Sequence, residues 1–139
     1  MENSKRFLKT VIIYIRVSSK ETLNSHNLET QEKACINYAL EKGYRVLKVF
    51  REQTGSGKSF NRPELQVMIE YCKSHRGKIK FLMVSNINRL STDKSGLGRL
   101  RFFFKRNGIT LISIADSMIK YVEKQSKNGD TFQNLDKEA

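Results

Sequence analysis

One stretch decides the fold of this chain: Val11-Ile12-Ile13-Tyr14-Ile15-Arg16-Val17-Ser18-Ser19. Its run of consecutive apolar residues predicts a strand that is buried on both faces, as in a parallel sheet. The run ends abruptly in an arginine and two serines. Side chains just beyond a buried strand often carry function, because the rigid sheet fixes their direction. Arg16 and Ser18 face the same way if the backbone stays extended, which sets a hydroxyl beside a permanent cation.

The pairing of Ser18 with Arg16 indicates chemistry on an anion. A serine hydroxyl is a weak nucleophile unless its alkoxide is stabilised or a base takes its proton. A guanidinium matches the oxygens of a phosphate and stays charged at any relevant pH. We therefore expect an anionic target beside Ser18.

Composition points to one soluble domain and a polyanionic partner. The chain has 139 residues, of which 38% are hydrophobic and 29% charged, and its formal net charge is +12. Such an excess of positive charge favours nucleic acid as the partner. The alternative is a basic surface that contacts only solvent. No segment approaches the roughly 18 apolar residues of a membrane span, and Met1 to Thr10 lacks the apolar centre of a secretory signal. We expect a cytoplasmic protein without a membrane partner.

The cysteines predict neither redox chemistry nor a metal site. Cys35 and Cys72 are the only two, and they are far apart inside helical patterns. They form no CxxC pair, and no histidine stands at ligand spacing from them. We expect two buried, reduced thiols and no metal.

Strand and helix patterns alternate along the chain. Periodicity and turn residues predict helices over Leu28–Lys42, from Pro63 onward and after Ser91 or Thr92, and strands over Val11–Ile15, Tyr44–Phe50, Ile79–Val84 and Ile109–Ile114. The glycine and serine residues of the segment Arg51–Arg62 predict a mobile loop. This order predicts an α/β fold with a mainly parallel central sheet of about four to five strands and helices packed on both faces.

The helix ends and faces carry further expectations. Ser25 or Asn27 is placed to cap the first helix and Gly43 to end it, while Leu40 belongs to its apolar face. The third helix, capped by Ser91 or Thr92, carries the apolar side chains Leu97, Leu100, Phe103 and Phe104 opposite a basic side. Phe102 is either a partner surface or a further core residue.

Three arginines stand at the ends of separate elements: Arg16 after the first strand, Arg62 before the second helix and Arg89 after the third strand. The carboxyl ends of parallel strands share one edge, so we expect the three to meet around Ser18. A single arginine at the end of an element is more often a solvated charge or a partner of a helix C-terminus. Gly57-Lys58-Ser59 is not a nucleotide-binding P-loop, because the upstream glycine is missing and the next helix begins only at Pro63.

Four separated motifs closely resemble the catalytic domain of the serine recombinases, the resolvase and invertase family. They are Tyr14-Ile15-Arg16-Val17-Ser18-Ser19, Leu28-Glu29-Thr30-Gln31, Gly55-Ser56-Gly57-Lys58 through Asn61-Arg62-Pro63-Glu64-Leu65, and Asn88-Arg89-Leu90-Ser91. The pattern looks most like the large transposon- and phage-type members. The resemblance runs from about Val11 to Asp116 and weakly on to Gly129.

The resemblance implies a site-specific DNA recombinase active in recombination or integration. Ser18 would attack a DNA phosphodiester, leaving a phosphoserine at the 5′ end and a free 3′-hydroxyl, without ATP, metal or another cofactor. The family positions matched by Arg16, Arg62 and Arg89 contact the scissile phosphate. The expected substrate-binding residues are Gln31, which orders the site, together with Asn88, Tyr14 and Lys94.

Two residues depart from the family pattern. Asn88 stands where the family usually has aspartate, and Thr92 stands where it has a second arginine. Asn88 can still form hydrogen bonds but carries no charge, and Thr92 cannot replace an arginine. Lys94 or Arg99, which follow one or two helical turns later, are the candidates to replace the missing positive charge. The alternative is therefore a catalytically impaired module that only binds DNA or a partner. A third hypothesis is that the chain is an unrelated α/β regulator that binds phosphate.

The end of the chain sets the expected domain organisation. We expect a catalytic domain over residues 1–120 and a polar tail over 121–139. Family members continue into a long dimerisation helix and a DNA-binding domain, and Asn128 to Phe132 marks the expected start of a truncated version of that helix. When full length, the protein would be a homodimer or tetramer on DNA.

Overall fold

The computed structural model describes residues 9–17, 28–53 and 62–116. Its elements are β1 (Thr10–Val17), α1 (Leu28–Lys42), β2 (Arg45–Gln53), α2 (Pro63–Ser74), β3 (Phe81–Val84), a 3-10 turn (Ile87–Arg89), α3 (Lys94–Arg106) and β4 (Thr110–Ser113). The strands pair in parallel in the order β2-β1-β3-β4. The predicted α/β fold with a parallel central sheet is confirmed.

The central strand β1 is buried along its whole length, as its apolar run predicts. Its alternate side chains point to opposite faces of the sheet. Ile12 and Tyr14 join the core that α2 and α3 cover, whereas Val11, Ile13 and Ile15 join the core under α1. Helices therefore pack on both faces, and this explains why β1 shows no polar alternation.

The apolar stripes of the helices pack as their spacing predicts, with one exception. Leu65, Met68 and Cys72 of α2 and Phe104 of α3 are buried in one core. Leu40 of α1 was expected on the apolar face, but it is 68% exposed because Cys35 and Ala39 already fill the contact with the sheet.

Strand β2 is longer than the sequence predicts. Arg51, Glu52 and Gln53 were expected to begin a loop, but they pair with Ile15, Arg16 and Val17 of β1. The ladder of hydrogen bonds to the long central strand outweighs their polar character. Strands β3 and β4 are slightly shorter than predicted, beginning at Phe81 and Thr110.

The cap of α3 was also predicted wrongly. Neither Ser91 nor Thr92 is the N-cap, because the carboxylate of Asp93 accepts the backbone N–H of Gly96 at 2.9 Å. The Ser91 hydroxyl instead bonds to the backbone of Asp93. Gly43, which was expected to end α1, adopts a left-handed φ of +77° that suits glycine.

Both cysteines are buried free thiols, as expected. Burial raises the pKa of Cys35 and of Cys72 to about 12, so both thiols stay protonated at neutral pH. They contribute to the core as small apolar side chains.

Several expectations lie outside the described residues. These are Ser18, the capping candidates Ser25 and Asn27, the glycine-serine segment after Gln53, and the polar tail. Within the residues that are described, no helix has the length and apolar character needed to cross a membrane.

Two phenylalanines of α3 allow a direct test of the packing. Phe104 is 1% exposed and Phe102 is 62% exposed, with the Arg106 guanidinium 5.6 Å from its ring centre. Phe104→Ala should lower the free energy of unfolding by about 3–5 kcal/mol, because it leaves a cavity in the core. Phe102→Ala should cost less than about 1 kcal/mol. Urea denaturation of both variants measures the difference, and equal losses would contradict this placement of the helix.

Candidate active site

The polar residues of interest gather at the carboxyl edge of the sheet. The chain leaves β1 and β3 there toward helices on opposite faces, and such a switch point in an open α/β sheet forms a crevice that commonly binds ligands. Tyr14 and Arg16 come from β1, Glu52 from β2 and Arg62 from the residue before α2. The turn after β3 completes the edge.

Arg16 links the end of β1 to the turn after β3 through hydrogen bonds of its side chain. Its side chain is only 4% exposed, and it donates from Nε to the Arg89 carbonyl at 3.1 Å and from Nη2 to the Asn88 carbonyl at 3.0 Å. Arg89 returns a hydrogen bond from Nη1 to the Arg16 carbonyl at 3.2 Å. The two arginines are therefore bound to each other's backbone.

Arg62 approaches the same turn from α2. Its Nη2 donates to the Leu90 carbonyl at 2.7 Å and to the Arg89 carbonyl at 3.2 Å, and the residue is 6% exposed. The structure thus brings Arg16, Arg62 and Arg89 together, as their positions at element ends predict. The carbonyls of Asn88, Arg89 and Leu90 are the acceptors that link them.

Tyr14 connects Arg62 to a buried carboxylate. Its hydroxyl accepts from Nε and Nη2 of Arg62 at 3.2 and 2.9 Å and donates to Oε1 of Glu52 at 2.9 Å. Burial raises the pKa of Tyr14 well above its ordinary value, although the nearby Arg62 charge opposes that rise. The hydroxyl therefore keeps its proton and serves both neighbours.

Glu52 is the residue that the sequence analysis missed. It is 2% exposed, and its carboxylate accepts the backbone N–H groups of Leu65 at 2.9 Å and Glu64 at 3.0 Å. It thereby caps α2 from another element, since the Arg62 side chain makes no capping hydrogen bond. The available signal was a helix start at Pro63 without a capping side chain of its own.

Gln31 holds the backbone at Arg16. Its Oε1 accepts from the Arg16 N–H at 3.2 Å, and its Nε2 donates to the Arg16 carbonyl at 2.9 Å. Gln31 is 4% exposed, and its two buried hydrogen bonds join the end of β1 to the first turn of α1. Gln31 thus orients Arg16.

A cleft of about 270 Å³ opens beside Arg89. Amide and hydroxyl side chains dominate its wall, which consists of Thr30, Gln31, Ala34, Ser85, Asn86, Asn88 and Arg89. Asn88 is exposed, and its backbone N–H donates to Oδ1 of Asn86 at 3.1 Å. Only its carbonyl, and not its amide side chain, holds Arg16.

The remaining predicted residues lie less centrally. Lys94 is the exposed first residue of α3, and Thr92 is exposed just before it. Ser18 follows β1 in the sequence and lies outside the described residues. Among the residues with described positions, no group of three or more His, Cys, Asp or Glu side chains is arranged to hold a metal ion.

A family model for the resolvase N-terminal domain matches residues 11–136 of this chain. The chain belongs to that family. The match confirms the resemblance to serine recombinase catalytic domains. No curated protein matches this resolvase-family domain significantly.

Solved structures with the same fold include three recombinase domains. The N-terminal catalytic domain of TP901-1 integrase has a TM-score of 0.67 and 20% identity, over 88% of this chain and 99% of that one. A resolvase family site-specific recombinase from Streptococcus pneumoniae has a TM-score of 0.67 and 21% identity, over 91% and 93%. The C-terminal catalytic domain of ISC1926 TnpA, an IS607-like serine recombinase, has a TM-score of 0.66 and 24% identity, over 76% and 68%.

The buried carboxylate gives the sharpest test of this site. Glu52→Gln replaces one acceptor oxygen with an NH₂ group, which has to face a backbone N–H or the Tyr14 hydroxyl. We expect it to lower the free energy of unfolding by about 1–3 kcal/mol, the cost of a buried polar group without its partner. Glu29→Gln, an exposed change in the first turn of α1, should cost at most about 1 kcal/mol. Urea denaturation compares the two, and equal effects would show that the Glu52 network adds no more stability than an exposed charge at a helix end.

Proposed function

We propose that this resolvase-family domain is the catalytic unit of a site-specific DNA recombinase that cleaves and rejoins DNA through Ser18. The observation that carries the proposal is the meeting of Arg16, Arg62 and Arg89 on the carbonyls after β3. They meet at the end of β1, and Ser18 is the residue that follows β1 in the sequence. The names of the structural relatives, an integrase and two recombinases, agree with a DNA substrate.

The proposed step is an exchange of phosphate esters. Ser18 Oγ forms a bond to phosphorus and loses its proton, while the bond from phosphorus to O3′ breaks. The electron pair of that bond stays on O3′, which takes up a proton and becomes a free hydroxyl. The phosphoserine keeps the ester energy, so the reverse attack by a 3′-hydroxyl rejoins DNA without ATP.

The arginines supply the electrostatics of this step. Charge develops on the phosphoryl oxygens and on O3′, and fixed cationic donors stabilise it most where water is excluded. Arg16 and Arg62 are almost wholly buried, whereas Arg89 is half-buried and lines the cleft. Arg89 is therefore the guanidinium best placed to touch the phosphate, with Arg16 and Arg62 fixing its position. One donor of this kind is worth about 3 kcal/mol, or roughly 100-fold in rate.

Covalent trapping tests the role of Ser18. The chain is joined to a DNA-binding domain, offered supercoiled or nicked DNA carrying the matching sites, and assayed for protein–DNA adducts. Adducts should form with the natural sequence and disappear in Ser18→Ala. Adducts that persist in Ser18→Ala, in a folded protein, would assign the nucleophile to another residue.

A second candidate function is a catalytically impaired module that binds DNA or a partner without cleaving. The observation in its favour is that Asn88 and Thr92 are exposed at the edge where the family pattern places an acid and a second arginine. Neither residue carries charge toward a substrate at these positions.

Restoring the family pattern separates the two candidates. If the two departures are the defect, Asn88→Asp with Thr92→Arg should raise adduct formation by about 10-fold or more, since each factor of ten is only about 1.4 kcal/mol. Lys94→Arg in the natural background is the control, because it adds no charge. Full activity of the natural sequence, with no gain in the double variant, would rule out the impaired module.

The assembly and its target follow from the same proposal. In the complete protein we place this domain in a homodimer or tetramer on DNA, because cleaving and rejoining two sites requires several nucleophiles. Choice of site would come from a separate DNA-binding domain, since residues 9–17, 28–53 and 62–116 offer phosphate-directed cations rather than a base-reading element.

A further inference from the structure

Over residues 9–17, 28–53 and 62–116, positive charge is unevenly distributed, and its excess lies away from the candidate active site. Six exposed cations gather at the opposite, amino edge of the sheet, where strands begin and helices end. We call this group the amino-edge rim, which consists of Lys9, Arg76, Lys78, Lys80, Lys105 and Arg106. Lys42 and Arg45 extend it at the connection from α1 to β2, where Glu41 is the neighbouring acid. Glu70, the other acid near this edge in the part of the chain that the structure describes, pairs with Lys73 at 3.6 Å.

The carboxyl edge is close to neutral within the described ranges. Arg51 is held by both carboxylate oxygens of Glu32, at 2.7 and 2.6 Å. Tyr14 joins Arg62 to the Glu52 carboxylate. Further acids occupy the cap of α3 and the first turns of α1 and α2. Among the residues that the structure describes, the excess of positive charge therefore lies mainly away from the arginines of the site.

Backbone hydrogen bonds hold the rim in a fixed row. The Arg45 N–H donates to the Lys9 carbonyl at 2.9 Å, the Lys80 N–H to the Thr10 carbonyl at 3.1 Å, and the Thr110 N–H to the Lys80 carbonyl at 2.9 Å. The Thr10 hydroxyl also donates to the Lys78 carbonyl at 2.8 Å. Four strand starts are thus aligned side by side, and at about 4.8 Å between strands the row is about 14 Å wide.

Helix electrostatics explains only part of this charge. Lys105 and Arg106 lie in the last turn of α3, where cations favour the negative end of the helix dipole. Lys9, Lys78 and Lys80 lie outside helices, in the segments that lead into β1 and β3. Their repulsion from one another is a cost that an anionic partner would relieve.

We propose that the amino-edge rim binds the phosphate backbone of duplex DNA, as a second DNA-contacting surface besides the catalytic edge. Duplex DNA carries one negative charge per roughly 1.7 Å of axis, so about 14 Å of duplex offers about eight charges to the rim. The eight residues of β1 separate the two edges by about 26 Å. The rim therefore contacts a different stretch of duplex from the one that is cleaved. This binding requires no chemistry at Ser18.

The test measures binding of the full chain to DNA in the Ser18→Ala background, so that cleavage plays no part. Fluorescence anisotropy with a labelled duplex of arbitrary sequence gives affinity over a range of salt concentrations. The rim variant combines Lys78→Gln, Lys80→Gln and Arg106→Gln. The matched control removes the same charge from exposed positions elsewhere, with Lys33→Gln, Lys48→Gln and Arg101→Gln.

The rim variant should bind at least about 10-fold more weakly, and the slope of log affinity against log salt should fall by about 3. The control should change the slope by less than about 1, and Lys78→Arg with Lys80→Arg should bind like the natural sequence. Equal losses in rim variant and control would overturn the proposal, because binding would then follow net charge alone. An unchanged affinity with altered sedimentation of the rim variant would overturn it too, and would make the rim a contact between protein chains. Thermal unfolding checks that every variant is folded.

Discussion

The carboxyl edge of this domain depends on the hydrogen bonds of two buried guanidinium groups. Removing a charged group from water costs several kcal/mol unless polar partners replace the lost hydration. Arg16 and Arg62 obtain such partners from the carbonyls of Asn88, Arg89 and Leu90. Those carbonyls point together because the chain turns tightly there, with the Leu90 N–H bonded to the Ile87 carbonyl. The shape of the turn and the burial of the arginines therefore require each other.

This coupling orders the arginine side chains without any bound ligand. A flexible arginine would lose side-chain entropy on binding a phosphate, and water would screen its charge. Here the guanidinium groups of Arg16 and Arg62 are already ordered by backbone oxygens, and the Tyr14 hydroxyl links Arg62 to Glu52 and so to the start of α2. Strands β1 and β2, helices α1 and α2 and the turn after β3 then hold Arg89 beside the cleft. Such preorganisation is the usual source of electrostatic stabilisation in enzymes.

Much of this architecture could be predicted from the sequence, because it follows from local patterns. The unbroken apolar run of β1 and the helical spacing after Pro63 define the parallel sheet and its covering helices, and the topology then carries Arg16, Arg62 and Arg89 to one edge. The failures concern residues whose role is set by partners distant in sequence. Glu52 looks like a loop residue until its pairing with Arg16 in the sheet places it under α2. Leu40 fits a helical stripe, but the neighbouring Ala39 and Cys35 leave it no room at the sheet.

The arginines are held mainly by backbone oxygens. The departures from the family pattern at Asn88 and Thr92 therefore leave the hydrogen bonds of the arginines in place. Asn88 holds Arg16 through its carbonyl oxygen, which every residue type possesses, while its side chain faces the cleft. An aspartate at this position would keep the same bond to Arg16 and add a charge to the cleft wall. The position can therefore change its chemistry without disturbing the arginines behind it. The architecture of this edge is thus separable from the chemistry of the cleft wall, because a backbone atom holds Arg16 while the residue type at position 88 sets the charge of that wall.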